Sequence, residues 1–425
     1  MHLSKWYPLD NAAKLFSAVT KPSNTSVFRV AIIMKDSIQP ETLQLALDQI
    51  TDRFPTMNLQ LHNGLFWKFL AENPNRILVE EESEYPCAPL HAKSNHNFYY
   101  RILYFNRRIS IEVFHSLTDG NGAVEFLKTL VYQYLHLLGH DIEDEGLILL
   151  PKDIASSREK EDSYGKYYAA KAFKKQKHPQ AFHLAGSPLD PPGNNVINGL
   201  IEVDTLRAVA KKYGVTITSY LSAVLIYTIY QECYYPKIDS GDVRITIPVN
   251  LRNIFPSKTL RNFFSVVTVG NPYQESLDFA LLATEIDRQL KHETSSDSLL
   301  PVLAGNMRWE RLMAIRLVPE FIKNWGMRYG FNAYGEETKT MSLSNLGAIR
   351  FPSQMQPFID WMEVVLYPTQ KSPINCGICS TGHLFTISFA RTIEDAALIS
   401  AFFRFLKEHD DITATVYGNE WGYEQ

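Results

Sequence analysis

Between residues 109 and 115 the chain alternates, with Ile109, Ile111, Val113 and His115 on one side and Ser110, Glu112 and Phe114 on the other. A period of two is that of a strand with one face in a core, so the imidazole of His115 is predicted on the apolar face at the strand's end. Asp119-Gly120-Asn121-Gly122 then offers turn chemistry and N-caps, and Val124, Leu127, Val131, Tyr134, Leu135 and Leu138 recur at helical spacing until Gly139. The pattern reads strand, tight turn, helix. Upstream, Val27 to Met34 is a continuous β-rich run, Gln39-Pro40 opens a helix that Arg53-Phe54-Pro55 ends, and strands are predicted over 65–70 and 99–105. The polar Asn106-Arg107-Arg108 turns the last of these into the strand that ends at His115.

From Gly139 to Asn195 the periodicity gives way to charge runs and prolines, including Pro188-Leu-Asp-Pro-Pro-Gly193, which marks a connector too polar to build a core, with a short helix expected near Tyr164 to Lys175. Order returns with a strand over 199–203, a helix from Asp204 stopped by Gly214, and a helix over 218–230 that is apolar on nearly all sides and therefore expected to be buried. Val243 to Arg252 and Met341 to Gly347 read as strands, as does 385–391, and an amphipathic helix over 395–409 follows.

Length and composition bound what these elements can build. A chain of 425 residues exceeds what one core usually serves, which predicts two domains, divided within the connector as 1–185 and 186–425. Apolar residues at 45% and charged residues at 21% are ordinary globular usage, and a net charge of −4 leaves no electrostatic footprint for nucleic acid. No run of about 18 apolar residues predicts a membrane span, and the first ten residues lack the apolar core of a signal peptide, so the expected location is cytoplasmic. Of four cysteines, Cys376 and Cys379 form one CxxC. A zinc site needs about four Cys or His ligands and no second CxxC occurs, so these are read as incidental and no metal is expected. Trp6, Trp309, Trp325 and Trp361 are read as core residues before any role in lining an apolar binding site.

His115-Ser-Leu-Thr-Asp119-Gly120 resembles the HxxxDG motif of the CoA-dependent acyltransferase superfamily, which includes chloramphenicol acetyltransferase, alcohol acetyltransferases, plant BAHD acyltransferases and peptide-synthetase condensation domains. Two later segments agree. Pro248-Val-Asn-Leu-Arg252 resembles the stretch whose arginine pairs with the motif aspartate, and Ser344-Asn345-Leu-Gly347 resembles a segment of alcohol acetyltransferases and, more loosely, condensation domains. It departs from the Asp-Phe-Gly-Trp-Gly of plant BAHD enzymes. The resemblance covers nearly the whole chain and implies an α/β fold of two similar chloramphenicol acetyltransferase-like halves, each a mixed sheet with helices, joined by a long crossover. The first half, 1–185, would carry HxxxDG, and 186–425 would be the second.

Histidine is the usual general base near neutral pH, with an ordinary pKa of about 6.5. The resemblance implies that His115 deprotonates a hydroxyl or amine acceptor, which attacks the acyl-CoA thioester directly with no covalent acyl-enzyme. It assigns Asp119 and Gly120 to the structure of the turn and Arg252 to a bidentate pair with Asp119. Ser344 and Asn345 are read as an oxyanion or substrate contact, with an Asx turn as the other reading for Asn345. Acyl-CoA would be a cosubstrate, with no permanently bound cofactor, and the partners would be acyl-CoA and a small alcohol or amine. A serine hydrolase would need the G-x-S-x-G elbow, which is missing here. Two alternatives stand beside the acyltransferase: a condensation-type enzyme using carrier-protein thioesters, for which Phe114 replaces the usual second histidine, and a non-catalytic scaffold of the same fold.

Overall fold

The computed structural model describes residues 6–21, 23–91, 93–167, 179–311 and 318–419, with the side chains of 306–311 and 419 left aside. Two sheets dominate. A five-stranded sheet runs in the order Ile359–Leu366, Val27–Met34, Arg108–Phe114, Tyr100–Phe105, Val79–Glu81, and a seven-stranded one in the order Phe264–Asn271, Val243–Asn250, Met341–Ile349, Ile374–Thr381, Leu384–Arg391, Asn195–Glu202, Thr415–Asn419. Both are mixed: Val79–Glu81 runs parallel to Tyr100–Phe105, and Met341–Ile349 runs parallel to both its neighbours, while the remaining pairs are antiparallel. The chain thus has the mixed α/β, two-lobed architecture expected of it.

Each sheet buries one face under helices. Ile109, Ile111 and Val113 pack with Leu127, Val131 and Tyr134 of helix Gly120–Leu137 in one core. Helices Ile217–Glu232, Phe279–Glu293 and Ala397–Asp410 cover the seven-stranded sheet in the other. Helix Ile217–Glu232 is buried along almost its whole length, as its all-round apolar sequence predicts, and no single described helix is long and apolar enough to cross a membrane.

Strand Ile359–Leu366 lies far beyond residue 186 in sequence yet pairs antiparallel with Val27–Met34, placing Val364 opposite Val30. The five-stranded sheet is therefore not confined to one side of the connector, whereas all seven strands of the other sheet follow it. The connector also adds Ile142, Ile148, Tyr164, Phe182 and Leu184 to the cores, more than its polar composition suggests, because a segment spanning both lobes is covered by each in turn. Its expected helix falls mostly on residues 168–178, outside the described residues; Ser163–Tyr167 is a 3₁₀ turn.

Other expectations are corrected. Ser110 and Glu112, on the side of the strand that reads as solvent-facing, are fully buried. Arg29 Nε and the Cys87 amide donate to one oxygen of Glu112 (2.7 and 2.6 Å) and Arg101 Nε donates to the other (2.8 Å), so that the charges on this face are paired and buried. The strand expected over 65–70 begins at Lys68, because Gly64 and Trp67 close a turn that leaves Leu65 and Trp67 exposed. Trp6 and Trp325 are 65% and 72% exposed, not core, and Trp361 is partly buried with its indole N–H donated to Tyr417. The side chain of Trp309 lies outside the described residues. Cys376 and Cys379 are three apart on one strand and so point to opposite faces; each is buried in a different core, and burial pushes both thiols well above their ordinary range.

Candidate active site

His115 sits where strand Arg108–Phe114 turns into helix Gly120–Leu137, at the seam between the lobes. Its amide donates to Ser26 O (2.9 Å), and the Ser116 hydroxyl donates to Ala13 O (3.0 Å), which ties the turn to helix Asn11–Val19. Three phenylalanines from three elements surround the ring. Phe16 stacks on it (centroids 4.3 Å apart, planes at 12°), Phe28 lies at 4.8 Å, and Phe264, the first residue of an edge strand in the other sheet, lies at 5.3 Å. The Tyr164 hydroxyl bonds both the amide and the carbonyl of Phe264, so the connector holds this third wall in place. Burial lowers the His115 pKa from its ordinary 6.5; the Asp119 charge, the Asn262 side chain and the backbone groups of His115 and Thr118 act in the opposite direction without cancelling it.

Asp119 does not bond the His115 ring. Its carboxylate caps the following helix by accepting from Gly122 N (3.3 Å), and accepts from Phe263 N (2.9 Å) across the seam. Arg252 Nη1 and Nη2 donate to its two oxygens at 2.8 and 3.3 Å, with both side chains less than a tenth exposed. The same guanidinium also donates to the carbonyls of Thr259, Arg261 and Phe263, and to Asn250 Oδ1. Helix cap and inter-lobe anchor are thus one carboxylate, and Arg252 gathers the loop 251–263 onto it.

The glycines of the turn differ in why they are needed. A Cβ on Gly120 would lie 2.5 Å from Leu346 Cδ2, a movable side-chain end, whereas on Gly122 it would lie 2.0 Å from Thr118 Oγ1 and 2.3 Å from Leu260 O. Backbone cannot step aside so easily. Gly122→Ala should therefore lower the thermal unfolding midpoint more than Gly120→Ala, with a loss on the order of 1–3 kcal/mol, and an equal or reversed order would contradict this packing.

Leu346 also shows that the segment Ser344 to Gly347 packs against the turn. Within it, Gly347 adopts φ of +73° and donates its amide to Asn345 Oδ1 (2.6 Å), an Asx turn, while Asn345 Nδ2 donates to Thr218 Oγ1 (2.8 Å). Ser344 is partly buried two residues before Leu346.

Two residues around His115 carry no signal in their own neighbourhoods of the sequence. Asn262 is fully buried with Oδ1 3.1 Å from His115 Nδ1, and its Nδ2 donates to His115 O (3.0 Å) and to both oxygens of Asp10 (3.3 Å each). Asp10 caps helix Asn11–Val19 through Ala13 N (2.8 Å) and lies 3.5 Å from the Arg261 guanidinium; burial pushes its carboxyl up to about 6. The closeness of Asn262 to Arg252 in sequence was the one available hint.

A cavity of about 280 Å³ lined by Met34, Tyr134, Leu138, His140 and Phe358 lies elsewhere. It adjoins the far end of helix Gly120–Leu137, roughly 25 Å from the HxxxDG turn at 1.5 Å of rise per residue.

Comparison with known proteins bears on these residues. The alcohol acetyltransferase family model matches residues 198–358, which include Arg252, Asn262, Ser344 and Asn345 but not His115. No curated protein sequence matches. Among solved structures, the epimerization domain from the third module of tyrocidine synthetase B superposes with a TM-score of 0.61 at 13% identity, covering 96% of this chain and 97% of that one. The starter condensation domain of rhizomide synthetase, as a mutant in complex with C8-CoA and Leu-SNAC, gives 0.60 at 12% identity over 95% and 94% of the two chains. Trichothecene 15-O-acetyltransferase from Fusarium sporotrichioides gives 0.57 at 10% identity over 94% and 93%. The chain therefore has the two-lobed, chloramphenicol acetyltransferase-like fold of these structures, and residues 198–358 match the alcohol acetyltransferase family model.

Proposed function

We propose that the protein transfers an acyl group from acyl-CoA to the hydroxyl of a small alcohol, or to an amine, with His115 as the general base. The observation that carries this is the His115 imidazole itself, held between the lobes in an aromatic cage and kept neutral by its burial. A neutral imidazole takes the acceptor proton as the acceptor oxygen attacks the thioester carbonyl, giving a tetrahedral oxyanion. Collapse of that oxyanion forms the ester and breaks the C–S bond, and the CoA thiolate leaves with the proton that the imidazolium returns.

No covalent acyl-enzyme forms on this reading. Ser116, the hydroxyl nearest in sequence to the base, is 2% exposed and already donates to Ala13 O, so it is not presented to a substrate. For the oxyanion we assign Ser344, whose segment packs on the turn through Leu346, in preference to Asn345, whose amide serves Thr218 and Gly347. Asp119, Gly120 and Arg252 hold the site together and touch no reacting atom. CoA as the donor is supported by Phe114, which lies on the opposite side of the strand from His115 and gives the site no second histidine.

The test is release of free CoA thiol from a panel of acyl-CoA esters with mixed alcohols and amines. Turnover is expected with an alcohol; release only from carrier-bound thioesters would move the protein to the condensation-type reading, and none from either to a scaffold. The pH dependence is a second check. Because the His115 pKa is lowered, the base form persists below the ordinary value, and the acid limb of kcat/KM should fall below about pH 6.5. A limb above pH 7 would be incompatible with a desolvated neutral base.

A further inference from the structure

We infer that Asn262 and Asp10 are positioning residues that fix the tautomer of His115, holding the proton on Nδ1 and leaving the lone pair on Nε2 for the acceptor. The inference rests on the proposed role of His115 but can be read independently of it.

The two ends of an amide differ, and its neighbours decide which end is which. One terminal atom of the Asn262 amide lies 3.0 Å from the His115 carbonyl oxygen and 3.3 Å from each oxygen of Asp10. All three are acceptors, so that atom is the NH2 nitrogen; the flipped amide would set its oxygen against a carbonyl and a carboxylate in a fully buried place. The other end, 3.1 Å from His115 Nδ1, is then a carbonyl oxygen that can only accept. This contact favours the hydrogen on Nδ1, beside the backbone groups of His115 and Thr118 that also face the ring. A neutral imidazole has one ring proton, which leaves Nε2 as the basic nitrogen.

Asp10 makes this choice rigid. Its carboxylate is held by Ala13 N and by Arg261, whose Nη2 also donates to Pro8 O (2.6 Å). The helix that Asp10 caps supplies Phe16, which stacks on the imidazole. Ring plane and ring proton are therefore set from the same helix, and the amide that links Asp10 to the ring comes from the other lobe.

Long-range proton–nitrogen NMR correlation of the full-length protein labelled with ¹⁵N-histidine at pH 7.5, with His115 assigned by the signal lost in His115→Gln, reads the tautomer directly. The expected pattern is a protonated Nδ1 and an unprotonated Nε2. Asn262→Ala should introduce the Nε2–H form and lower kcat on the order of 10- to 100-fold with little change in KM. Asp10→Asn, which keeps an oxygen for Asn262 Nδ2 and a helix cap, should retain the wild-type pattern. An Nε2–H form in the wild type overturns the inference even if Asn262→Ala fails to fold, and so does an Asn262→Ala protein with unchanged His115 resonances and kcat. If His115→Ala instead keeps its activity while the Nδ1–H pattern stands, it is the base assignment that fails.

Discussion

Replacing His115 with alanine is expected to lower kcat for acyl transfer by about 10²- to 10⁴-fold, the usual contribution of a positioned general base. Phe16, Phe28 and Phe264 pack around the ring at the seam, and Asp119, the nearest carboxylate in sequence, is committed to Arg252, Phe263 N and the helix cap. The nearest buried carboxylate among the described residues, Asp10, is held by Ala13 N, Asn262 and Arg261. Some stability will go with the ring, since its contacts with three aromatic side chains are lost, so His115→Gln should be measured in parallel to keep much of that volume. If both variants stay folded and turn over within about tenfold of the wild type, His115 does not act as the base.

The second large effect is on stability. Arg252→Gln and Asp119→Asn should each destabilise the protein by about 3–5 kcal/mol, because removing one partner strands a charge that is almost fully buried. In Arg252→Gln the carboxylate retains the amides of Gly122 and Phe263, but the carbonyls of Thr259 and Arg261 lose their shared donor and the loop 251–263 loses its fastening. In Asp119→Asn the guanidinium retains those carbonyls while its charge is no longer balanced. The double variant should lose less than the sum of the two, with a coupling on the order of 0.5–3 kcal/mol by chemical denaturation. Strictly additive losses would show that the pair is not energetically linked. Activity should fall with stability, since the loop carries Asn262 and leads into Phe264.

Much of the local architecture was legible in the sequence because it depends on near neighbours. Strand Val27–Met34, the hairpin turned at Asn106 with its φ of +51°, and the helix capped by Asp119 and closed before Gly139 with its φ of +93° appear where periodicity, capping and glycine punctuation place them. The approach of Asp119 to Arg252, 133 residues later, was expected only from the family resemblance; no pattern around either residue contains it.

What the sequence by itself determined is the order of strands, turns and helices and the placement of His115 on an apolar face, since backbone conformation and side-chain alternation are set over a few residues. Only the tertiary structure decided that the polar-looking face with Glu112 is buried, because the charges of Arg29 and Arg101 that offset its burial come from neighbouring strands. It also decided which residues surround the histidine. Asn262 lies 147 residues from His115 and 252 from Asp10, and these three side chains meet only when the lobes close on one another. A hydrogen bond over that separation depends on where two cores pack, which no local period encodes.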